Sequence, residues 1–247
     1  MRVILVTGAS RGIGASAALE CARRGFGVIL TCRRHPDEAA AVVGRIEEAG
    51  GSACAVPLDL ADMAAIRALA AALPELLRAR FGAERLHGLV NNAGHGLFAP
   101  IDTVEEAQFD ALMQVHLKGP FFLTQALLPL FAEGGAIVNL TSATTRATFG
   151  GVAPYAAFKG GLEVLTRCMA KEFGPRRIRA NAVSPGPIRT ALGGGLAPEF
   201  ERLLADQTAL GRVGEPEDVG RVIATLLSDE AAWINGASID VSGGYQV

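Results

Sequence analysis

Cysteine, lysine and long apolar runs are all scarce in this chain, and each scarcity excludes a class of protein. The four cysteines (Cys21, Cys32, Cys54 and Cys168) lie far apart and form no Cys-x-x-Cys pair. We therefore expect reduced thiols and a cytoplasmic location rather than a disulfide framework. The apolar run Val3–Val6 ends at once in Thr-Gly, and no later run reaches spanning length. The sequence thus predicts neither a signal peptide nor a membrane span.

Charge of one sign is also missing. Twenty arginines and three lysines are scattered against 25 acidic residues, which leaves a net charge of −2 and no basic block. This balance disfavours nucleic acid or a membrane surface as a partner. The histidines at 35, 87 and 95 show no metal-ligand spacing, so no metal site is expected. Half of the 247 residues are apolar, which is enough for a thick core covered on two sides.

Short apolar runs alternate with amphipathic helical patterns along the whole chain. Such alternation predicts a single α/β domain, a doubly wound parallel sheet of about seven strands with helices on both faces. Ligands should then bind at the carboxyl ends of the strands. The predicted strands are Val3–Val6, Val28–Cys32, Ala53–Pro57, Leu86–Val90, Ala136–Leu140, Ile178–Val183 and Ser238–Val241.

Several local signals predict where helices begin, bend or end. Pro74 should break or kink an alanine-rich helix. Thr103 and Glu106 have the spacing of a capping box, and Gly119-Pro120 should bend the helix that follows. The segment near 190–212, which contains the glycines at 193–195, is the least regular part and predicts a flexible substrate flap or short helices.

A glycine-rich loop, Thr7–Gly14, joins the first predicted strand to the first helix with the spacing Gly-x-x-x-Gly-x-Gly. Glycines there permit a tight turn and a close approach of the backbone to a pyrophosphate, whose negative charge would face the helix N-terminus. A purely structural turn is the alternative. The position between strand and helix favours nucleotide binding.

Tyr155 and Lys159 stand one helical turn apart in the predicted helix Val152–Phe173, and Ser142 precedes them. A phenol titrates near ~10, and about 4 kcal/mol would bring it close to neutrality. An ammonium at ~4 Å in an effective dielectric of ~20 supplies about that much. We therefore expect Lys159 to lower the pKa of Tyr155 and make it a proton donor at neutral pH. A simple surface contact between the two side chains is the alternative.

Together with Asn91-Asn92-Ala93-Gly94 and Ser184-Pro185-Gly186, these motifs make the chain resemble the classical short-chain dehydrogenase/reductase family, from Val3 to Gly244. The 3-oxoacyl-[acyl-carrier-protein] reductases are the most similar subgroup. The resemblance implies a Rossmann fold. It also implies a homotetramer, with helices around 108–131 and 152–173 at one interface and the tail near 233–247 at another.

The second predicted strand ends in Arg33-Arg34, without the acidic residue that would favour NAD. With Arg11 in the glycine loop, these arginines match a 2′-phosphate, so NADP(H) is the expected cofactor; solvated arginines are the alternative. Asp59 would flank the adenine or cap the following helix. The cofactor-binding set implied by the resemblance is Gly8, Ser10, Arg11, Gly12, Ile13, Gly14, Arg33, Arg34, Asp59, Leu60, Asn91, Ala93, Gly94, Tyr155, Lys159, Pro185, Gly186, Ile188 and Thr190.

The resemblance implies hydride transfer between a nicotinamide and a carbonyl or secondary alcohol. Tyr155 would be the acid, Lys159 would also hold the nicotinamide ribose, and Ser142 would bind the carbonyl oxygen. His116 stands where the family usually has a catalytic asparagine in a bent helix. It could serve a proton relay and titrate near neutrality, or only fill the bend.

The substrate should be chosen by 95–98, 144–151 and the segment after Thr190. A 3-oxoacyl thioester is the leading expectation, and Arg146 could receive an acidic carrier or a phosphopantetheine. A dehydrogenase of a sugar, steroid or small alcohol is the alternative enzyme. A nucleotide-sensing protein without turnover is the non-enzymatic alternative.

Overall fold

Seven parallel strands form one sheet in the order β3-β2-β1-β4-β5-β6-β7 in the computed structural model. The structure describes residues 1–192 and 194–247, so the predicted irregularity at Gly193 lies outside the described residues. The strands are β1 Val3–Val6, β2 Gly27–Cys32, β3 Ala53–Pro57, β4 Leu86–Asn91, β5 Phe131–Leu140, β6 Arg179–Pro185 and β7 Ser238–Val241.

Helices connect the strands and cover both faces of the sheet. They are α1 Gly12–Arg23, α2 Pro36–Glu48, α3 Met63–Phe81, α4 Glu106–Met113, α5 Gly119–Leu127, α6 Ala153–Phe173, α7 Pro198–Asp206 and α8 Pro216–Leu227. In the described ranges no helix combines the length and apolar character that a membrane crossing needs.

Alternation along the central strands divides the core between the two faces. Ile4 and Val6 of β1 pack with α1, α2 and α8, whereas Val3 and Leu5 pack with α3, α5 and α6. All four side chains are fully buried, because a parallel sheet with helices on both sides exposes neither face. The predicted single-domain, doubly wound fold is confirmed.

Three local predictions were wrong in detail. The predicted break at Pro74 is wrong, because α3 runs through it, whereas a kink there stays a prediction. Leu73 and Leu77 on either side of Pro74 are fully buried, and this packing offsets a proline cost of about 3 kcal/mol. The capping box of α4 uses Glu105 and Gln108, because Thr103 already ends a short 3-10 turn.

The irregular helical turn between α4 and α5 precedes Gly119-Pro120, where the bend was predicted. A π-helical segment, Gln114–Lys118, joins the two helices, and α5 begins at Gly119. Such a widened turn inside a helix is frequent at functional sites.

The strand order reverses beside β1, which lies between β2 and β4. The loops that leave β1 and β4 therefore separate to opposite sides of the sheet and open a crevice at its carboxyl edge. The segment predicted as a flap or short helices contains helix α7. Its flexibility stays a prediction.

Candidate active site

The glycine loop after β1 has room for nothing larger than glycine at two positions. Gly8 has φ +63°, and a Cβ there would lie 2.8 Å from the Ala93 Cα. A Cβ on Gly14 would lie 2.4 Å from the Asn92 side-chain nitrogen. The loop is thus pressed against the turn after β4, and its outer side is left to a ligand.

Thr7 and Asn92, which the sequence analysis did not single out as site residues, hold these two turns together. The Thr7 hydroxyl donates to the Val90 carbonyl and accepts from the backbone N–H groups of Asn92 and Ala93, at 2.9 to 3.1 Å. The Asn92 amide donates back to the carbonyls of Thr7 and Gly8. The sequence signal that could have identified this pair is a threonine directly after β1 together with the second asparagine after β4.

The α1 N-terminus can hold a phosphate. Arg11 is the N-cap of α1 and its side chain makes no capping hydrogen bond, so the first-turn N–H groups stay available to an anion. Arg11, Arg33 and Arg34 are all exposed. Arg33 Nη1 lies 3.5 Å from Asp59 Oδ2, which keeps it at the edge of the crevice. This donor set fits a dinucleotide with an additional phosphate on its ribose.

The side chains of several predicted cofactor residues are engaged within the protein. The Asn91 side chain is buried inside the sheet and donates to Asn139 Oδ1 at 2.8 Å, so it braces the sheet and leaves only its backbone for the adenosine side. The Leu60 side chain is buried against Gly119, which leaves only its backbone for a ligand. Asp59 accepts from the Ala61 N–H at 2.9 Å, whereas Asp62 caps α3.

The segment after β6 folds back over the glycine loop. A Cβ on Gly186 would lie 2.7 Å from the Ser242 Cβ, so the chain leaves Pro185 in close contact with the segment after β7. Ile188 packs against Gly214, and the Thr190 methyl group faces Gly12 at 3.4 Å from the position of a Cβ. Thr190 therefore borders the phosphate site.

Ser142, Tyr155 and Lys159 meet at the end of β5. Ser142 caps a short 3-10 turn, and its hydroxyl accepts from the Thr144 N–H at 3.2 Å. Tyr155 and Lys159 share one face of α6, with the ammonium 5.6 Å from the centre of the phenol ring. Lys159 Nζ donates to the Leu140 carbonyl at 2.6 Å. The three predicted side chains are thus brought together.

The expected acidification of Tyr155 by Lys159 was wrong. Burial raises the pKa of the Tyr155 phenol above its ordinary value, and the Ser142 hydroxyl acts in the opposite direction with a smaller effect. Burial also lowers the pKa of Lys159 to about 7, because its ammonium is enclosed. The phenol therefore stays protonated at neutral pH, and the lysine is the group that titrates there.

His116 lies within the π-helical segment and is buried. Its Nε2 lies 2.7 Å from the His95 carbonyl oxygen, so this nitrogen carries the proton; the His95 N–H at 3.3 Å would need the other tautomer. Its ring meets the Tyr155 ring edge-on, with centres 5.1 Å apart. Burial, and then the charge of Lys159, hold the pKa of His116 well below its ordinary value. It is therefore neutral, and the expectation of titration near neutrality was wrong.

The Arg146 side chain forms hydrogen bonds within the protein. Its guanidinium donates to the Tyr245 carbonyl, to Asp240 Oδ2 and to the Ser242 hydroxyl, all at 2.8 to 3.0 Å. These contacts fix the loop after Ser142 to the chain terminus. Arg146 thus braces this loop, and the suggestion that it receives an acidic carrier stays a prediction.

Comparisons with known proteins agree with this geometry. A family model described as enoyl-(acyl carrier protein) reductase matches residues 8–246. An uncharacterized oxidoreductase of Methylorubrum extorquens is 39% identical over 99% of this chain and 98% of its own length. The chain belongs to the short-chain dehydrogenase/reductase family. The predicted family is therefore confirmed.

Two further members of the short-chain dehydrogenase/reductase family bear on cofactor and substrate. The 3-oxoacyl-[acyl-carrier-protein] reductase FabG of Staphylococcus aureus is 36% identical over 97% of this chain and 96% of its own length. The angucycline C-6 ketoreductase LanV, crystallised with bound NADP, has a TM-score of 0.95 at 36% identity, covering 99% of this chain and 95% of its own. This chain is an oxidoreductase of the same family.

Proposed function

We propose that the protein is an NADP(H)-dependent carbonyl reductase that transfers hydride between the nicotinamide and a ketone or secondary alcohol. The observation that carries this proposal is the grouping of Ser142, Tyr155 and Lys159 at the carboxyl edge of the sheet, beside a glycine loop that fits a pyrophosphate. A nucleotide-sensing protein would need the loop but not these three side chains.

Bound NADPH would supply the hydride. The chain's own residues would hold the carbonyl oxygen and deliver a proton to it. The Ser142 hydroxyl donates to that oxygen and stabilises its developing negative charge. Tyr155 keeps its proton at neutral pH and gives it up as the alkoxide forms, which suits reduction better than alcohol oxidation.

Lys159 and His116 support the phenol in different ways. Lys159 lies beneath the phenol ring and is fixed by the Leu140 carbonyl, so its ammonium is positioned for the cofactor ribose. We propose that His116 is a positioning residue: it ties the His95 backbone to the Tyr155 ring and stays neutral. His116 thereby holds the π-helical segment against the site.

NADP(H) is the proposed cofactor because three exposed arginines surround the ribose end of the site and the acid typical of NAD enzymes is missing after β2. The solved relatives with NADP or NADPH bound agree with this choice. Arg11 and Arg34 are proposed as the principal phosphate ligands, since Arg33 shares its charge with Asp59.

The relationship to FabG makes a 3-oxoacyl thioester one substrate to test, and the ketoreductase LanV makes a cyclic ketone another. The experiment follows loss of NADPH absorbance with both ketone substrates, and gain of NADPH absorbance from NADP⁺ with a panel of sugars and small alcohols. Wild-type turnover of a ketone that disappears in Tyr155→Phe supports the proposal. Equal turnover in both proteins would contradict it.

We propose a homotetramer and a cytoplasmic location. Phe121, Phe122 and Val164 are exposed on α5 and α6, and Trp233 is fully exposed near the tail. Apolar surface of this kind on two separate faces suits two interfaces. The four free cysteines suit a reducing compartment. Light scattering would give the mass, and a monomer would exclude the assembly.

A further inference from the structure

Exposed apolar side chains lie on three segments that adjoin the candidate active site. We call these five side chains the apolar rim: Phe98, Phe149, Leu192, Phe200 and Leu203. Each is between 43% and 76% exposed, although residues of these types are normally buried. Grouped exposed apolar side chains beside a polar catalytic pair indicate a binding surface.

Phe98 is anchored to the catalytic tyrosine from two directions. Its ring lies over Gly151, where a Cβ would come within 2.8 Å, and the neighbouring Ala99 N–H donates to the Gly151 carbonyl at 2.9 Å. Gly151 is four residues before Tyr155. On the other side, the loop of Phe98 is held through His95 by His116, which contacts the Tyr155 ring. Phe98 is therefore fixed beside the phenol.

Helix α7 brings the opposite wall of the rim to Ser142. Its Leu204 is buried in a small cluster with Ala143 and Ala147, the residues that follow Ser142. Phe200 precedes Leu204 by four residues and lies on the same side of the helix, and Leu203 is the neighbour of Phe200 at three residues' spacing. Both Phe200 and Leu203 remain exposed. The apolar stripe of α7 is thus wider than the surface that the protein itself covers.

Phe149 and Leu192 connect the two walls. Phe149 lies between Ala147, which packs on α7, and Gly151, which packs on Phe98. Leu192 follows Thr190, whose methyl group faces Gly12 of the glycine loop. The rim therefore reaches from the phosphate site across the hydroxyls of Ser142 and Tyr155.

The arginines of these segments make contacts away from the apolar rim. Arg146 is bound by Asp240 and the chain terminus. Arg189 pairs with Glu201 and with Glu215. Arg202 lies on the opposite side of α7 from Phe200 and lines a separate cavity of about 320 Å³. A charged carrier would thus meet an apolar rim whose neighbouring arginines are paired with carboxylates or face another cavity.

We propose that the substrate is a bulky, uncharged ketone with a fused aromatic ring system, held by the apolar rim. Three of the five rim side chains are phenyl rings, and offset or edge-on contacts with an aromatic partner stabilise binding beyond the burial of apolar area. This proposal rests on the proposed carbonyl-reductase function and narrows its substrate class.

The test compares 2-tetralone, cyclohexanone, acetoacetyl-coenzyme A and the uncharged thioester acetoacetyl-N-acetylcysteamine as substrates with NADPH. We expect kcat/KM for 2-tetralone to exceed the values for cyclohexanone and acetoacetyl-coenzyme A by about tenfold or more. Phe98→Ala and Leu203→Ala should each lower kcat/KM for 2-tetralone by about tenfold and leave the KM for NADPH unchanged. Leu210→Ala, an exposed leucine beside Gly243 and outside the rim, is the matched control.

A binding experiment distinguishes failure of the rim proposal from failure of the proposed carbonyl-reductase function. If no carbonyl is turned over, the carbonyl-reductase function fails, and titration of the NADP⁺-loaded protein with 2-naphthol decides the rim proposal. Binding that weakens in Phe98→Ala and Leu203→Ala but not in Leu210→Ala supports it. Lack of 2-naphthol binding, a preference for acetoacetyl-coenzyme A, or equal losses in all three variants overturns it.

Discussion

Lys159 should make the folded protein less stable at neutral pH than a variant without this charge. Burial lowers its pKa from 10.5 to about 7, so the folded state binds fewer protons than the unfolded state between these values. Stability should therefore rise with pH through this window, and the destabilisation should be complete below it. At about 1.4 kcal/mol for each unit, the full cost is roughly 5 kcal/mol.

Lys159→Met removes this cost and also removes the hydrogen bond to the Leu140 carbonyl, a loss of about 1–3 kcal/mol. We expect a net gain of about 2–4 kcal/mol at pH 6 that shrinks by about 3 kcal/mol by pH 9. Carbonyl reduction should be lost in the same variant. The assay is urea unfolding of the cofactor-free protein at a series of pH values.

The matched control is Lys171→Met, an exposed lysine on the same helix. Its stability relative to wild type should not depend on pH. The reasoning is refuted if Lys159→Met and wild type show the same pH dependence, because Lys159 would then titrate alike in the folded and unfolded states.

Three other predictions concern the site. Tyr155→Phe should lower the rate of ketone reduction by about 10²-fold or more, while NADPH still binds in a fluorescence titration. The rate of alcohol oxidation by wild type should rise with pH beyond 10, because the pKa of the phenol is raised. A flat pH profile of oxidation would contradict this. Gly94→Ala should destabilise the protein by about 1–3 kcal/mol in urea unfolding, since its Cβ would come within 2.6 Å of the His116 ring, and His116→Ala should relieve most of that cost; additive losses would exclude the contact. Replacing both Arg11 and Arg34 with alanine should raise the KM for NADPH about tenfold or more and leave the KM for NADH nearly unchanged, whereas equal changes would refute phosphate recognition.

The strands and the catalytic pair could be predicted from sequence because their signals are local. Val3–Val6 is an unbroken apolar run, and four-residue spacing places Tyr155 and Lys159 on one helical face whatever surrounds them. The glycine loop was equally clear, since its position between β1 and α1 is where a pyrophosphate must bind.

The charge states of the site could not be predicted from spacing. Coulomb attraction between Tyr155 and Lys159 can be inferred from the sequence, but the burial that outweighs it depends on the loops packed around both side chains. His116 and Arg146 show the same limit. Whether each side chain faces a ligand or the protein depends on His95 and Asp240, which are distant in sequence.

Sequence-based predictions of helix details were wrong where tertiary packing overrides local preference. The burial of Leu73 and Leu77 carries α3 through Pro74. The π-helical segment after α4 buries Val115 and His116, and no local sequence signal predicted it.

Transfer of a labelled hydride tests the central claim most directly. The protein is incubated with 2-tetralone and NADPH carrying deuterium at the transferable position, and the product alcohol is analysed by mass spectrometry. We predict one deuterium on the carbinol carbon with wild type and almost none with Tyr155→Phe. An unlabelled alcohol, or equal labelling by both proteins, would contradict the assignment of Tyr155 as the acid of a nicotinamide-dependent reductase.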